Sequence, residues 1–246
     1  MKRLLLAAAA LALATSAANA QTVRIATEGA YAPWNFVDED GNAAGFEIVL
    51  GNEICDRAGL DCEFVLTAWD TMIPNLLAGN YDVIMAGMSI TEERLQSISF
   101  SENYYPPDPS RFAVAAGAEI DFADMTGLRL GAQSATIQLG YIEANLADGN
   151  TVLSYETFDQ AVADLAAGNL DAVLADAGYI EPITNANDAL MIDGPAIQIG
   201  GGVGAGIRKE DTELLATFSE TIAEMQADGT LNALIIEWFE VPNTFE

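Results

Sequence analysis

Two stretches of this chain, residues 69–87 and 158–176, are built to the same design, and that repeat limits the fold more than any other feature. Asp70 and Asp159, Leu76 and Leu165, Ala78 and Ala167, Gly79 and Gly168, Asn80 and Asn169, Asp82 and Asp171, and Ala86 and Ala175 coincide at one offset of 89 residues. The physical reading is the same in both copies. The opening Asp is expected to cap a helix, because a carboxylate can accept from the free N–H groups of a first turn. Gly-Asn then ends that helix, with Gly in the left-handed conformation. The short apolar run that follows reads as a buried strand. Chance similarity between two αβ units is the alternative, and the shared Ala-Gly-Asn-x-Asp weighs against it.

Each copy follows a strand and a helix. Residues 23–27 form the strand before the first copy. Residues 128–132, then a helix over 137–146, precede the second. The fold class is therefore α/β, with two lobes that each hold a mostly parallel sheet flanked by helices. Residues 104–111, with Pro106, Pro107 and Pro109, read as one connector between the lobes. The Gly-rich run 200–206 reads as the second, a flexible return strand. It fails as a nucleotide loop because Ile207-Arg208-Lys209 follows where a Lys-Ser/Thr pair is needed. Lobe 1 is assigned to residues 21–108 and 200–246, and lobe 2 to residues 109–199. Residues 211–227 are helical by period.

Charge decides which partners are excluded. The chain has 9 Lys+Arg against 37 Asp+Glu and no His, a formal net charge of −28. Nucleic acid and anionic membrane surfaces both require Lys and Arg, so neither is a partner. His-based triads and the commonest transition-metal ligand are absent. At 51% hydrophobic the chain still buries a core.

The N-terminus has the form of an export signal. Lys2 and Arg3 precede an apolar run over 4–14, and Ala18-Asn19-Ala20 offers small residues where a signal peptidase cuts. Residues 1–20 are thus assigned to a signal peptide cleaved after Ala20, and the product to the periplasm. Cys55 and Cys62 are the only cysteines. In an oxidising compartment they favour a disulfide between a helix end and the next strand. Two buried free thiols are the other reading. A metal site lacks a third ligand.

Ligands of open α/β sheets sit at the carboxyl ends of the strands. Four segments qualify, 27–31, 86–94, 133–138 and 175–176, two in each lobe. If the lobes face each other, all four line one cleft. Arg94, just inside a helix start, can grip a carboxylate in bidentate fashion. A surface pair with Glu93 or Asp70 competes with that role. The helix start after Gln133 offers free N–H groups, and Thr136 adds a hydroxyl. Asp176 ends a buried strand and needs a cationic partner, unless it caps the next helix. Tyr31 and Trp69 can sandwich a ligand's stem or delocalised head, or belong to the core. Glu28 can receive a second positive group, or stand solvated on the surface.

Taken together these residues resemble the periplasmic solute-binding proteins of polar amino-acid ABC transporters, most closely the lysine/arginine/ornithine, arginine and opine binders. The resemblance rests on Thr27-Glu28-Gly29-Ala30-Tyr31-Ala32-Pro33-Trp34, Gly45-Phe46-Glu47-Ile48, Gly51-Asn52-Glu53-Ile54-Cys55, Ser89-Ile90-Thr91-Glu92-Glu93-Arg94 and Val203-Gly204-Ala205-Gly206. It implies a type II periplasmic-binding-protein fold, two lobes joined by two hinge strands, closing on one free amino acid. Arg94 would hold the α-carboxylate with Ser89 and Thr136. Asp176, the Gly87 carbonyl and Ser89 would hold the α-ammonium. Tyr31 and Trp69 would flank the side chain, and Glu28 would take a distal cation. Cys55 and Cys62 match a family disulfide.

The partners implied are an amino-acid ligand and an inner-membrane ABC permease, with the protein a monomer, not an enzyme, and without cofactor or metal. Three departures bear on specificity: Ala86 replaces a hydroxyl residue, Gln133 an apolar one and Ile137 a second hydroxyl. The leading expectation is a cationic L-amino acid such as arginine, lysine or ornithine. Another polar amino acid or an opine is the first alternative. An exported enzyme on the same scaffold, similar to the cyclohexadienyl dehydratases, is the second.

Overall fold

A computed structural model describes residues 22–241 and 245. The signal segment and the cleavage site at Ala20 that the sequence leads one to expect lie outside the described residues. The first part of the chain runs β1 (Val23–Thr27), β2 (Ala30–Tyr31), β3 (Asn35–Val37), β4 (Ala43–Ala44), α1 (Phe46–Ala58), β5 (Cys62–Leu66), α2 (Met72–Leu77), β6 (Val83–Ile84), α3 (Glu92–Leu95) and β7 (Ser99–Tyr105). It continues through β8 (Ser110–Ala115), β9 (Arg129–Gln133), α4 (Ile137–Asn145), β10 (Thr151–Tyr155), α5 (Phe158–Ala166), β11 (Ala172–Asp176), α6 (Ala177–Asn185) and β12 (Leu190–Ile197). It ends with β13 (Val203–Ile207), α7 (Thr212–Ala227) and α8 (Thr230–Phe239).

Two five-stranded sheets result, ordered β5-β1-β6-β13-β7 and β10-β9-β11-β8-β12, with a small β2-β3-β4 sheet beside the first. In each large sheet four strands run in one direction and one, β13 or β8, runs against them, so three neighbours pair in parallel and the remaining pairings are antiparallel. The division has a simple cause. The αβ repeats supply the parallel halves, because a strand–helix–strand crossover returns the chain in the same direction. The strands that pair antiparallel, β7 with β13 and β8 with β12, flank the two passages between sheets, 106–109 and 198–202.

Both faces of the first sheet are covered. Ile25 and Val83 pack with Leu50, Ile54, Phe218 and Ile222. Their neighbours Ala26 and Ile84 face the other way, onto Met72, Leu76 and Tyr81. Burial on both faces explains why these strands are apolar without alternation.

The repeat motif acquires a physical meaning. Gly79 (φ 79°) and Gly168 (φ 76°) follow the ends of α2 and α5 in the left-handed region. Asp82 and Asp171 then bind the first strand of their own lobe. Asp82 Oδ2 accepts from the backbone N–H of Arg24 (3.1 Å) and from its Nε (3.0 Å). Asp171 Oδ2 does the same with Arg129, at 2.7 and 3.1 Å. The guanidinium groups also donate to the carbonyls of Gly79 and Gly168. Each turn is thus pinned to the strand it returns to.

Two expectations are corrected. Asp70 and Asp159 do not cap helices. Thr157 caps α5, its extended backbone (φ −130°, ψ 156°) placing the hydroxyl to accept from Gln160 N–H at 3.3 Å. Asp159 lies within the first turn and accepts from the Tyr179 hydroxyl at 2.7 Å. Asp70 falls within a 3₁₀ turn, Trp69–Thr71, that has no side-chain cap. The Gly-rich run is not a flexible return either. Its second half is β13, buried at every position and hydrogen-bonded between β6 and β7. A Cβ on Gly204 would come within 3.1 Å of Ile90 Cδ1 and the Ser101 carbonyl, so the glycine serves close packing. Cys55 and Cys62 form a disulfide that ties α1 to β5, with Gly59 (φ 65°) turning the chain between them.

Candidate functional site

The carboxyl ends of β1, β6, β9 and β11 converge on one cavity between the two sheets. Glu28, Tyr31, Trp69, Gly87, Ser89, Arg94, Gln133, Thr136 and Asp176 all line it. Ala86, Ile137, Gln138 and Phe158 complete the wall.

Arg94 reaches the cavity because Thr91 caps α3, its hydroxyl accepting from the Arg94 N–H at 3.1 Å. The guanidinium Nη1 donates to the Ser89 carbonyl at 2.8 Å and lies 5.3 Å from the Trp69 ring centroid. It makes no ion pair with Glu93 or Asp70 among the described residues. Burial lowers its pKa to about 10, opposed by the attraction of Asp176.

Asp176 occupies the position before α6, but its carboxylate does not cap that helix. It accepts instead from the Tyr31 hydroxyl (2.8 Å) and from Gln138 Nε2 (2.7 Å). Burial raises its pKa to about 6, while those hydrogen bonds and Arg94 pull the other way. Tyr31 has one face stacked on Tyr179, with centroids 4.4 Å apart. Thr136 caps α4, accepting from Leu139 N–H at 3.2 Å while its own hydroxyl donates to the Gln133 carbonyl.

Glu28 lines the same cavity, hydrogen-bonded to Gln133. Its pKa rises to about 7, first by burial and then by the nearby carboxylates of Asp159, Asp70 and Glu156, against a lowering hydrogen bond from Gln133. The cavity therefore presents one guanidinium, one carboxylate that attracts it and a second carboxylate, Glu28. A zwitterion with a cationic tail matches that sequence of charges.

Some participants are not evident in the sequence pattern. Gln138 and Tyr179 support Asp176 and Tyr31 from α4 and α6. Glu47 lies behind the wall, fully buried, and accepts from the Gly87 N–H (2.7 Å), Asn35 Nδ2 (2.7 Å) and the Tyr104 hydroxyl. It thereby fixes the Gly87 peptide, whose φ of 63° favours glycine. A readable signal existed for this one. Glu47 shares the buried face of α1 with Leu50, Gly51 and Ile54, where a lone charge needs partners.

Known proteins resemble this chain over nearly its whole length. The lysine/arginine/ornithine-binding periplasmic protein of Escherichia coli is 35% identical, over 96% of this chain and 94% of its own. The histidine-binding periplasmic protein of Salmonella typhimurium is 36% identical, over 93% and 92%. A crystal structure of a periplasmic His/Glu/Gln/Arg/opine family-binding protein from Silicibacter pomeroyi, in complex with lysine, is 45% identical. It superposes with a TM-score of 0.83 over 91% of this chain and 100% of that one. Residues 23–241 match the model of the bacterial extracellular solute-binding proteins, family 3, and the chain is a member of that family.

Proposed function

We propose that this protein binds one free α-amino acid with a cationic side chain in the periplasm and delivers it to an inner-membrane ABC permease by closing its lobes. The observation that carries the reading is the pair Arg94 and Asp176. They face each other in one cavity, and neither is neutralised by a salt bridge among the described residues. Arg94 takes the α-carboxylate with Ser89 and Thr136, and Asp176 takes the α-ammonium with the Gly87 carbonyl. Tyr31 and Trp69 flank the stem, and Glu28 receives the distal cation. Relatives named for lysine, arginine, ornithine and histidine support this choice of side chain.

The lobes are residues 21–108 with 200–246, and residues 109–199, and the protein acts as a monomer without cofactor. A calorimetric screen of the purified protein against the amino acids tests the reading. Arginine, lysine or ornithine is expected to bind, and glutamine or glutamate binding tightly with none of these would refute the cationic preference. Arg94→Ala is expected to cost about 2–5 kcal/mol, the usual loss for a buried charge partner. That is roughly 30- to 4,000-fold in affinity.

A further inference from the structure

Where Glu28 and Gln133 line the cavity, they form a side-chain arrangement that an acid alone would not create. Gln133 closes β9 and is buried at 2% exposure. Its Nε2 donates to Glu28 Oε1 at 2.5 Å and to the Glu156 carbonyl at 2.8 Å. A primary amide has two N–H donors, and both are used. The orientation is fixed by chemistry, because a carboxylate and a carbonyl can only accept. What remains of the side chain is Oε1, an acceptor. Among the described residues it has no hydrogen-bond partner, and Gln133 lines the cavity. Glu28 keeps its second carboxylate oxygen in the same condition. Two acceptor atoms are therefore left over on a pair of cavity-lining side chains that one hydrogen bond joins. Tyr31 and Phe158, with ring centroids 5.7 Å apart, line the same cavity.

We propose that Gln133 is a specificity-determining residue. With Glu28 it forms a two-acceptor cradle for a planar, multi-donor cation, a guanidinium, in preference to the ammonium of a lysine or ornithine. The inference rests on the amino-acid-binding reading above. A guanidinium carries five N–H donors in a rigid fork, so it can bond the carboxylate and the amide oxygen at once and lay its plane on an aromatic face. An ammonium is a compact point charge, and Glu28 alone answers most of its need. An apolar side chain at 133 would leave Glu28 unclamped and offer no second acceptor. Glu28 follows β1 and Gln133 ends β9, so the cradle is assembled only when the two sheets come together. Discrimination between head groups then enters with closure.

Titration calorimetry of the purified protein with L-arginine and L-lysine tests the proposal on wild type and on Gln133→Leu. Wild type is expected to prefer arginine by about tenfold or more. In Gln133→Leu, arginine affinity is expected to fall roughly 5- to 150-fold, the range for leaving a site's hydrogen-bond partner unmatched. Lysine affinity should fall by less than about threefold, as it loses no comparable bond. Collapse of the arginine-to-lysine ratio supports the cradle. A ratio unchanged by the substitution, or a wild type that prefers lysine, overturns it while the amino-acid reading stands. Failure of both ligands to bind wild type overturns both. If Gln133→Leu does not fold, as judged by its thermal melt, the slimmer Gln133→Met and the wild-type ratio decide. Arg94→Ala serves as the contrast, since it should weaken both ligands alike and leave the ratio intact.

Discussion

Glu28 and Asp176 are carboxylates that the fold makes reluctant to ionise, with pKa values raised to about 7 and about 6, mainly by burial. A cationic amino acid needs both ionised. Binding should therefore be strongest above pH 7 and weaken as pH falls, first as Glu28 takes up a proton and then as Asp176 does. Titration of arginine at pH 8, 7, 6 and 5 should show affinity dropping up to about tenfold per unit below 7, and more steeply below 6. A flat profile over that range would contradict the assigned roles. Individual residues also mark where reading a sequence stops. Arg94, Asp176 and Glu28 were legible because strand ends of an α/β sheet are few and a charge at one stands out. Gln138 and Tyr179 were not, because an amide inside a helix and an aromatic after a strand read as ordinary packing until partners 38 residues away on β11 and in the other lobe come into view.

At the scale of elements, the repeated turn makes a separate prediction. Gly79 and Gly168 both hold φ near 80°, and no atom lies within 4 Å of the place a Cβ would take, so only backbone conformation resists a side chain there. Gly168→Ala and Gly79→Ala should each cost about 1–2 kcal/mol. The two should be nearly equal, since the surroundings repeat. Gly131→Ala differs in mechanism. Its backbone is permissive, but the added carbon would lie 2.5 Å from Leu170 Cδ1, and overpacking of about 1–3 kcal/mol is expected. Denaturation midpoints of the three variants check both statements. Element types and most bounds follow from the apolar pattern. Residues 23–27 form the strand expected, and the helix after Thr136 begins at Ile137. Sheet direction was less accessible. The antiparallel strands β8 and β12 pair across the lobe's own chain, and nothing local in their sequence fixes a direction. Asp70 and Asp159 mislead for a related reason. A capping residue is defined by the backbone conformation before the first turn, and Thr157 takes that position two residues earlier than Asp159.

For the whole molecule, acidity sets a stability trend opposite to that of binding. Glu28, Asp108 and Asp176 hold protons in the fold, at pKa values raised to about 7, 7 and 6, that the unfolded chain has already released. Where the folded state binds more protons, stability falls as pH rises. The ligand-free protein should therefore become more stable from pH 8 down to pH 5, and relief of self-repulsion acts in the same direction. Asp82, Asp171 and Asp228, whose pKa values are lowered, reverse the trend only at more acid pH. Urea midpoints measured without ligand at pH 8, 7, 6 and 5 should rise in that order, and a fall would refute the account. The two crossings between sheets carry one more consequence. Tyr105 is the sheet partner of Val203, and Ser110 that of Ile197. The second lobe thus leaves and rejoins the first at a single seam, like a cassette fitted into a host. The host would keep its strand order if β7 were joined to β13 by a tight turn. Arg94, Tyr31 and Glu28 belong to the host, whereas Asp176, Thr136 and Gln133 arrive with the cassette, so exchanging that one insert would change what the molecule recognises without rebuilding the rest.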